Sequence, residues 1–242
     1  MSRTERPLGV CFDYGRTLVV FSRPDRALWA AGASLPLELG LAESRWSGTA
    51  GDFALALDLL VDKRIGEVQR ADPLREVEFE RIHREAIHQL LGRWPSQALS
   101  DRVAAILQRS WAEGVAPLEA AREVLATLKA RGLRLALCSN APFPPHLMYE
   151  QLERFQLRQY FDAALFSSEI GWRKPDPRIF AEMLRRLGLP AAAVWFVGDE
   201  WEADIEGATG AGMRAILAPG ASAGREGAEQ LLRWGDLLTM LQ

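Results

Sequence analysis

Five short apolar runs, each closing on a polar or small residue, limit what this chain can fold into. They occupy residues 8–12, 133–138, 163–166, 194–197 and 214–217. None shows the alternation of a strand with one wet face, so they predict strands buried on both faces, as in a parallel sheet. Before and between the last four runs the period changes to that of a helix. Ala121, Val124, Leu125 and Leu128 share one helical face, and so do Ile179, Phe180, Met183, Leu184 and Leu187. Strands alternating with helices imply right-handed crossovers and a doubly wound α/β sheet. Ligands in such sheets bind beyond the carboxyl ends of the strands.

The first and second runs are far apart in sequence, and the stretch between them carries helical stripes instead of strand patterns. The stripes are residues 53–61, then Phe79, Ile82, Ala86 and Leu90, then Val103, Ile106, Leu107 and Ser110. The expected organisation is therefore a core of residues 1–22 and 114–242 with a helical cap, residues 23–113, inserted in it. A length of 242 residues accommodates both. Gly132 is placed to end the helix that re-enters the core. Residues 219–227, rich in Gly and Ala, read as a surface loop.

Composition narrows the partners. The net charge of −3, with both signs mixed along the chain, argues against nucleic acid. No apolar run approaches the ~20 residues of a membrane span. Residues 1–7 lack the apolar centre of a signal peptide. The two cysteines, Cys11 and Cys138, sit inside apolar runs, which points to free thiols and a cytoplasmic location.

The strand ends carry the chemistry. Asp13-Tyr14-Gly15-Arg16-Thr17 follows the first run and Ser139-Asn140 the second. Lys174-Pro175-Asp176-Pro177 comes later, and Gly198-Asp199 with Asp204 follows the fourth run. Converging on one crevice, they supply three carboxylates, a lysine and hydroxyls. Carboxylates suit a hard cation such as Mg²⁺ beside phosphate oxygens, and a lysine adds a point charge for phosphate. Taken singly these residues have plainer readings. An aspartate at a strand end is often a turn former, and an isolated lysine is usually solvated. Asp176 before Pro177 fits a helix start, and Glu200 and Glu202 fit a first helical turn.

In order and spacing these motifs resemble the haloacid dehalogenase superfamily. Its pattern is D-x-D-G-T, a strand ending in Ser or Thr, a lysine before a helix, then G-D with a further aspartate. The resemblance implies a Rossmann-like core with the first strand central, a helical cap, and hydrolysis of a small phosphorylated substrate. It implies that Asp13 is the nucleophile and forms an aspartyl-phosphate. Mg²⁺ would be held by Asp13, the Gly15 carbonyl and Asp199, with Asp204 in support. Ser139 and Lys174 would be catalytic, and Thr17, Ser139, Asn140 and Lys174 would bind substrate.

The chain departs from that pattern twice. Gly15 stands where the family's phosphatases have a general acid-base aspartate, whose loss typically costs ~10²–10⁴ in rate. Activated phosphates, whose leaving groups need little proton help, are the substrates expected to tolerate it. Arg16 replaces the family's glycine. Three alternatives remain open at this level: a haloacid dehalogenase, a phosphonoacetaldehyde hydrolase-like enzyme using a cap lysine such as Lys63, and a phospho-ligand binding protein that has lost turnover. His83, His88 and His146 could in principle supply a base but read more simply as helix or surface residues. Trp29 and Trp172 are the tryptophans expected to border the crevice.

Overall fold

The computed structural model describes residues 6–221 and 228–241. The expected loop at 219–227 therefore lies partly outside the described residues. The chain divides into two compact units. One comprises residues 1–21, 116–141 and 152–242, and the other residues 22–115 and 142–151.

The first unit is built on a five-stranded sheet of β1 (Gly9–Phe12), β4 (Arg134–Ser139), β5 (Ala163–Phe166), β6 (Val194–Gly198) and β7 (Arg214–Leu217), in the order β5-β4-β1-β6-β7. Every pairing is parallel, and β1 lies at the centre. All four residues of β1 and all five of β6 are buried, as continuous apolar runs require. The crossovers are helices with apolar stripes. In α5 (Glu119–Ala130) the stripe is Ala121, Val124, Leu125 and Leu128. In α7 (Pro177–Leu187) it is Ile179, Phe180, Met183 and Leu187. Phe180 meets Phe196 of β6 edge to face, with ring centroids 5.6 Å apart. Truncating a buried phenylalanine of this kind typically costs ~3–5 kcal/mol.

Helix ends follow the chain's own signals. Asp176 caps α7 by accepting from Arg178 N at 2.9 Å, Pro177 fills the first turn, and Gly188 ends it at φ 68°. Gly132 takes φ 81° just past α5, a left-handed conformation that glycine adopts without strain.

The second unit is helical: α1 (Asp25–Ala31), α2 (Ala50–Ala71), α3 (Phe79–Leu91) and α4 (Gln97–Trp111). Thr49 opens α2 with a capping box: its hydroxyl oxygen accepts from Asp52 N at 3.1 Å, while the Asp52 carboxylate accepts from Thr49 N at 2.9 Å. Phe53, Leu57, Val61 and Ile65 of α2 pack with Ile82, Ala86 and Ile87 of α3 and with Val103 and Leu107 of α4. Residues 142–151, which include most of α6 (Pro145–Arg154), cluster with this helical unit instead of the sheet where the sequence reading put them. Arg109 of α4 holds Glu150 of α6 through two hydrogen bonds, 2.7 and 3.0 Å. Two strands were not anticipated, β2 (Val19–Phe21) and β3 (Val115–Pro117), which pair as a two-stranded ribbon. At three residues each, neither is long enough to display a period.

Among the described residues no helix is long and apolar enough to cross a membrane. Cys11 and Cys138 are free and buried.

Candidate active site

Register brings the motifs to one edge of the sheet. Phe12 is level with Leu137 of β4 and Val197 of β6. Asp13, one residue on, is therefore level with Cys138 and Gly198, just short of Ser139 and Asp199. Asp13 donates its backbone N–H to Val197 O at 2.9 Å, which extends the ladder by one residue and fixes the carboxylate at the strand end. The chain then turns back, with Leu18 N donating to Tyr14 O at 2.8 Å.

Lys174 is the electrostatic centre. Its side chain is 2% exposed, and Nζ lies 2.6 Å from Asp13 Oδ1 and 2.5 Å from Asp204 Oδ1. The Phe196 ring lies 5.2 Å from the same nitrogen. Burial pulls the ammonium's pKa down, but Asp13 and Asp204 together outweigh it and hold the lysine charged, well above its ordinary range. The backbone of Lys174 is clamped as well. Asn140 donates from Nδ2 to Lys174 O at 3.0 Å, and its Oδ1 accepts from Lys174 N at 2.8 Å. Both ends of the Asn140 amide are thus committed to placing the lysine.

Asp204 owes its position to an unusual turn. After β6 the chain forms a π-helical segment, Trp201–Glu206, which leads into α8 (Gly207–Gly210). This wide turn lets Asp204 Oδ2 accept from Glu200 N at 3.0 Å while Oδ1 faces Lys174. A Cβ on Gly198 would overlap the Asp204 carboxylate, so a side chain there is incompatible with this arrangement.

One lysine shared by two carboxylates leaves negative charge uncompensated. Asp199 adds to it: ligand oxygens of Asp13, Asp199 and Asp204 all lie within 4.8 Å of one another. Burial first, then Asp204 and Glu200, raises Asp199 to about 6. Burial likewise raises Asp13 to about 7, with Lys174 pulling the other way and Asp204 adding to the rise. Carboxylates crowded in this way favour a cation. Both Asp204 oxygens are already engaged, so Asp13 and Asp199 are the side chains suited to hold one.

The other predicted residues fall as follows. Ser139 ends β4 and is buried. Thr17 is fully buried and its hydroxyl faces Asp199 Oδ1 at 3.4 Å, which makes it a support for that carboxylate. Gly15 bridges to Val19, and a Cβ added to it would sit 3.2 Å from Phe21 Cε1. Phe21, a residue the sequence reading missed, thus borders the place where the family's acid-base side chain would begin. Arg16 takes φ 56°, the left-handed region that glycine enters without strain and other residues rarely adopt. It is exposed, with its guanidinium 5.6 Å from the Phe21 ring centroid and 3.7 Å from Glu200.

Several candidates have plainer settings. Trp172 stacks with Arg178, whose guanidinium carbon is 3.0 Å from the ring centroid. Lys63 is exposed and pairs with Glu67 at 3.9 Å. Trp29 is half exposed, and His146 is exposed on α6. His88 stacks on Trp94 with centroids 4.2 Å apart.

A sequence profile described as haloacid dehalogenase-like hydrolase matches residues 67–218, more than half of the chain. The chain belongs to that family. The matched span contains Ser139, Lys174, Asp199 and Asp204; Asp13 precedes it. A glyceraldehyde 3-phosphate phosphatase of Methanothermobacter thermautotrophicus is 40% identical over 101 residues, 42% of this chain and 44% of the relative. A phosphoserine phosphatase of Thermus thermophilus is 40% identical over 96 residues, 40% of this chain and 38% of the relative. The human haloacid dehalogenase-like hydrolase domain-containing protein 3 is 38% identical over 106 residues, 44% of this chain and 41% of the relative. The chain therefore matches less than half the length of these relatives. Among solved structures, a 2-haloacid dehalogenase from Pseudomonas syringae superposes with a TM-score of 0.67 at 24% identity, covering 96% of both chains. A haloacid dehalogenase-type phosphatase from Thermococcus onnurineus gives 0.60 at 18% identity, over 96% of this chain and 97% of the other. At those identities the superpositions speak for the shared fold.

Proposed function

We propose that this chain is a magnesium-dependent phosphohydrolase that acts on a small phosphorylated metabolite through a phosphoryl group carried on Asp13. The observation that carries this reading is the buried cluster in which Lys174 is shared by Asp13 and Asp204, with Asp199 alongside. Relatives named for glyceraldehyde 3-phosphate and phosphoserine support the substrate class.

The cluster fits the cation, because its carboxylates outnumber its one ammonium. Asp13, Asp199 and the Gly15 carbonyl would hold the ion. When bound, Mg²⁺ supplies positive charge for the phosphoryl oxygens.

The residues of the chain do the rest. Lys174 engages Asp13 Oδ1 and leaves Oδ2 to attack phosphorus. The phosphorus–oxygen bond to the leaving group breaks as the new bond to Asp13 forms. Lys174 and the Ser139 hydroxyl steady the transferred oxygens, so catalysis rests on positioning and charge. Asn140 and Thr17 act as positioning residues, through Lys174 and Asp199 respectively. Water then cleaves the acyl phosphate and frees Asp13. With Gly15 offering no proton, the first step favours leaving groups stable as anions, such as carboxylates and phenolates. The exposed, ion-paired Lys63 gives no support to Schiff-base chemistry.

Initial rates on acetyl phosphate, p-nitrophenyl phosphate and glycerol phosphate, with Mg²⁺ or EDTA, test the proposal. The expected result is Mg²⁺-dependent hydrolysis in which the first two substrates exceed the third by ~10² or more, the scale of a missing acid. Equal rates with EDTA, or a preference for glycerol phosphate, would overturn it.

A further inference from the structure

Arg16 is the one charged side chain of the Asp13-Tyr14-Gly15-Arg16-Thr17 motif to which the chemistry of Asp13 gives no task. It also holds an unfavourable backbone. Among the described residues only Arg16 and Gln156 combine a side chain with a positive φ. The left-handed region brings Cβ close to the following carbonyl oxygen, a cost that glycine avoids. Strain of this kind persists only where the surrounding structure holds it, and it gathers at ligand-binding sites.

Three observations place its charged head beside the reacting groups, all within the unit built on the sheet. The first is Phe21. Its Cε1 lies 3.2 Å from the point where a Cβ on Gly15 would stand, and the Arg16 guanidinium carbon lies 5.6 Å from the centroid of the same ring. One ring thus borders both Arg16 and the space that an acid-base side chain at residue 15 would enter. On the phosphohydrolase reading, that space faces the leaving group. The second is Glu200, which directly follows Asp199 and whose Oε1 lies 3.7 Å from Arg16 Nη1. The third is Asp199 itself: burial raises its pKa, and the charge of Arg16 is among those that pull it back.

The guanidinium is not committed to these contacts. The side chains of Arg16 and Glu200 are 64% and 58% exposed. Their separation of 3.7 Å exceeds that of a charge-assisted hydrogen bond, about 2.7–2.9 Å. An exposed pair of this kind contributes little, so Glu200 yields readily to another anion. Its carboxylate also shows which anion suits the place. A planar group with two oxygens can accept two parallel bonds from the guanidinium fork.

We propose that Arg16 is a specificity residue that receives a carboxylate carried by the leaving portion of the substrate, in exchange for Glu200. The inference rests on the phosphohydrolase reading and narrows its substrates to phosphorylated compounds that bear a carboxylate beyond the phosphoryl group. A hydroxyl in the same place gains little, because it would give Arg16 a neutral partner for a charged one. The left-handed backbone fits this role. A glycine at residue 16 would relieve the strain and lose the cation.

The test uses two non-hydrolysable ligands, propylphosphonate and 3-phosphonopropionate, which share a phosphonate and differ in ending on a methyl or a carboxylate. Isothermal titration calorimetry on the full chain with Mg²⁺ gives the dissociation constants. The wild type should bind 3-phosphonopropionate about fivefold more tightly, the upper end for an exposed ion pair. High salt should shrink that preference. Arg16→Gln should bind the two ligands alike, and Arg16→Lys should keep part of the preference, since it restores the charge without the fork. Equal binding of the two ligands by the wild type, or an undiminished preference in Arg16→Gln, would overturn the proposal and leave the phosphohydrolase reading standing. Binding of neither ligand would overturn both. The wild-type comparison at low and high salt decides the matter if Arg16→Gln fails to fold.

Discussion

Replacing Lys174 by methionine keeps most of the side chain's length and removes its charge. The substitution deletes contacts of 2.6 and 2.5 Å and leaves Asp13 and Asp204, 7% and 1% exposed, facing each other without a counter-ion. Breaking a buried pair from one side typically costs ~3–5 kcal/mol, provided both carboxylates are ionised. That condition sets the pH dependence. Asp13 titrates at about 7 in the fold against 3.8 when unfolded, so the native state binds its proton more tightly. A raised carboxylate pKa means that stability falls as pH climbs from about 4 to 7. Without Lys174 the folded pKa rises further, and the loss continues above pH 7. Each pH unit between the two folded values then adds about 1.4 kcal/mol to the penalty. The penalty should reach ~3–5 kcal/mol near pH 9 and shrink toward pH 6. At roughly 2–4 °C per kcal/mol for a chain of this size, the fall in Tm near pH 9 is about 6–20 °C. Thermal melts in EDTA, followed by circular dichroism at several pH values, measure it. A penalty that does not change with pH, or one below about 1 kcal/mol near pH 9, would refute the reasoning.

Other expectations follow from single residues. Arg16→Gly removes a left-handed non-glycine residue and should stabilise the chain by about 1 kcal/mol in urea denaturation, since the exposed Glu200 pair at 3.7 Å contributes little; a lower midpoint would contradict this. Gly198→Ala forces Asp204 off its seat and, through Lys174, disturbs Asp13. Turnover of acetyl phosphate should fall ~10²-fold, as misplaced groups do, while the chain stays folded; unchanged turnover counts against the role given to Asp204. Gly15→Asp should be accommodated, because Phe21 is 44% exposed and can swing from the 3.2 Å approach. It should raise glycerol phosphate hydrolysis relative to acetyl phosphate, by up to ~10²; an unchanged ratio would show that residue 15 does not govern leaving-group chemistry.

The parts of this molecule that could be read from sequence are those written as long patterns. The five sheet strands are continuous apolar runs, and the stripes of α5 and α7 repeat over about two turns. The central place of β1 came from the family resemblance, and the ladder agrees with it. The ribbon β2–β3 escaped notice because three residues carry no period. Residues 142–151 cluster with the helical unit, and nothing local in Pro-His-Leu-Met reveals the salt bridge from Glu150 to Arg109.

The candidate site was legible in residue identity more than in division of labour. Asp13, Lys174, Asp199 and Asp204 come together at one edge of the sheet. Asn140 and Thr17, expected to meet substrate, hold Lys174 and Asp199 through contacts that span 34 and 182 residues. Contacts at such separations exist only once the sheet has formed. The left-handed Arg16 had a signal, its place in a motif that calls for glycine. Phe21 had none, because its relation to Gly15 depends on the turn after Asp13.

The most direct measurement is acid-quench trapping during acetyl phosphate turnover with Mg²⁺, followed by mass spectrometry of the digested protein. The expected result is a phosphoryl adduct on the peptide containing Asp13, at Asp13 itself, and neither adduct nor turnover in Asp13→Asn. An adduct on another residue, or undiminished hydrolysis by Asp13→Asn, would contradict it.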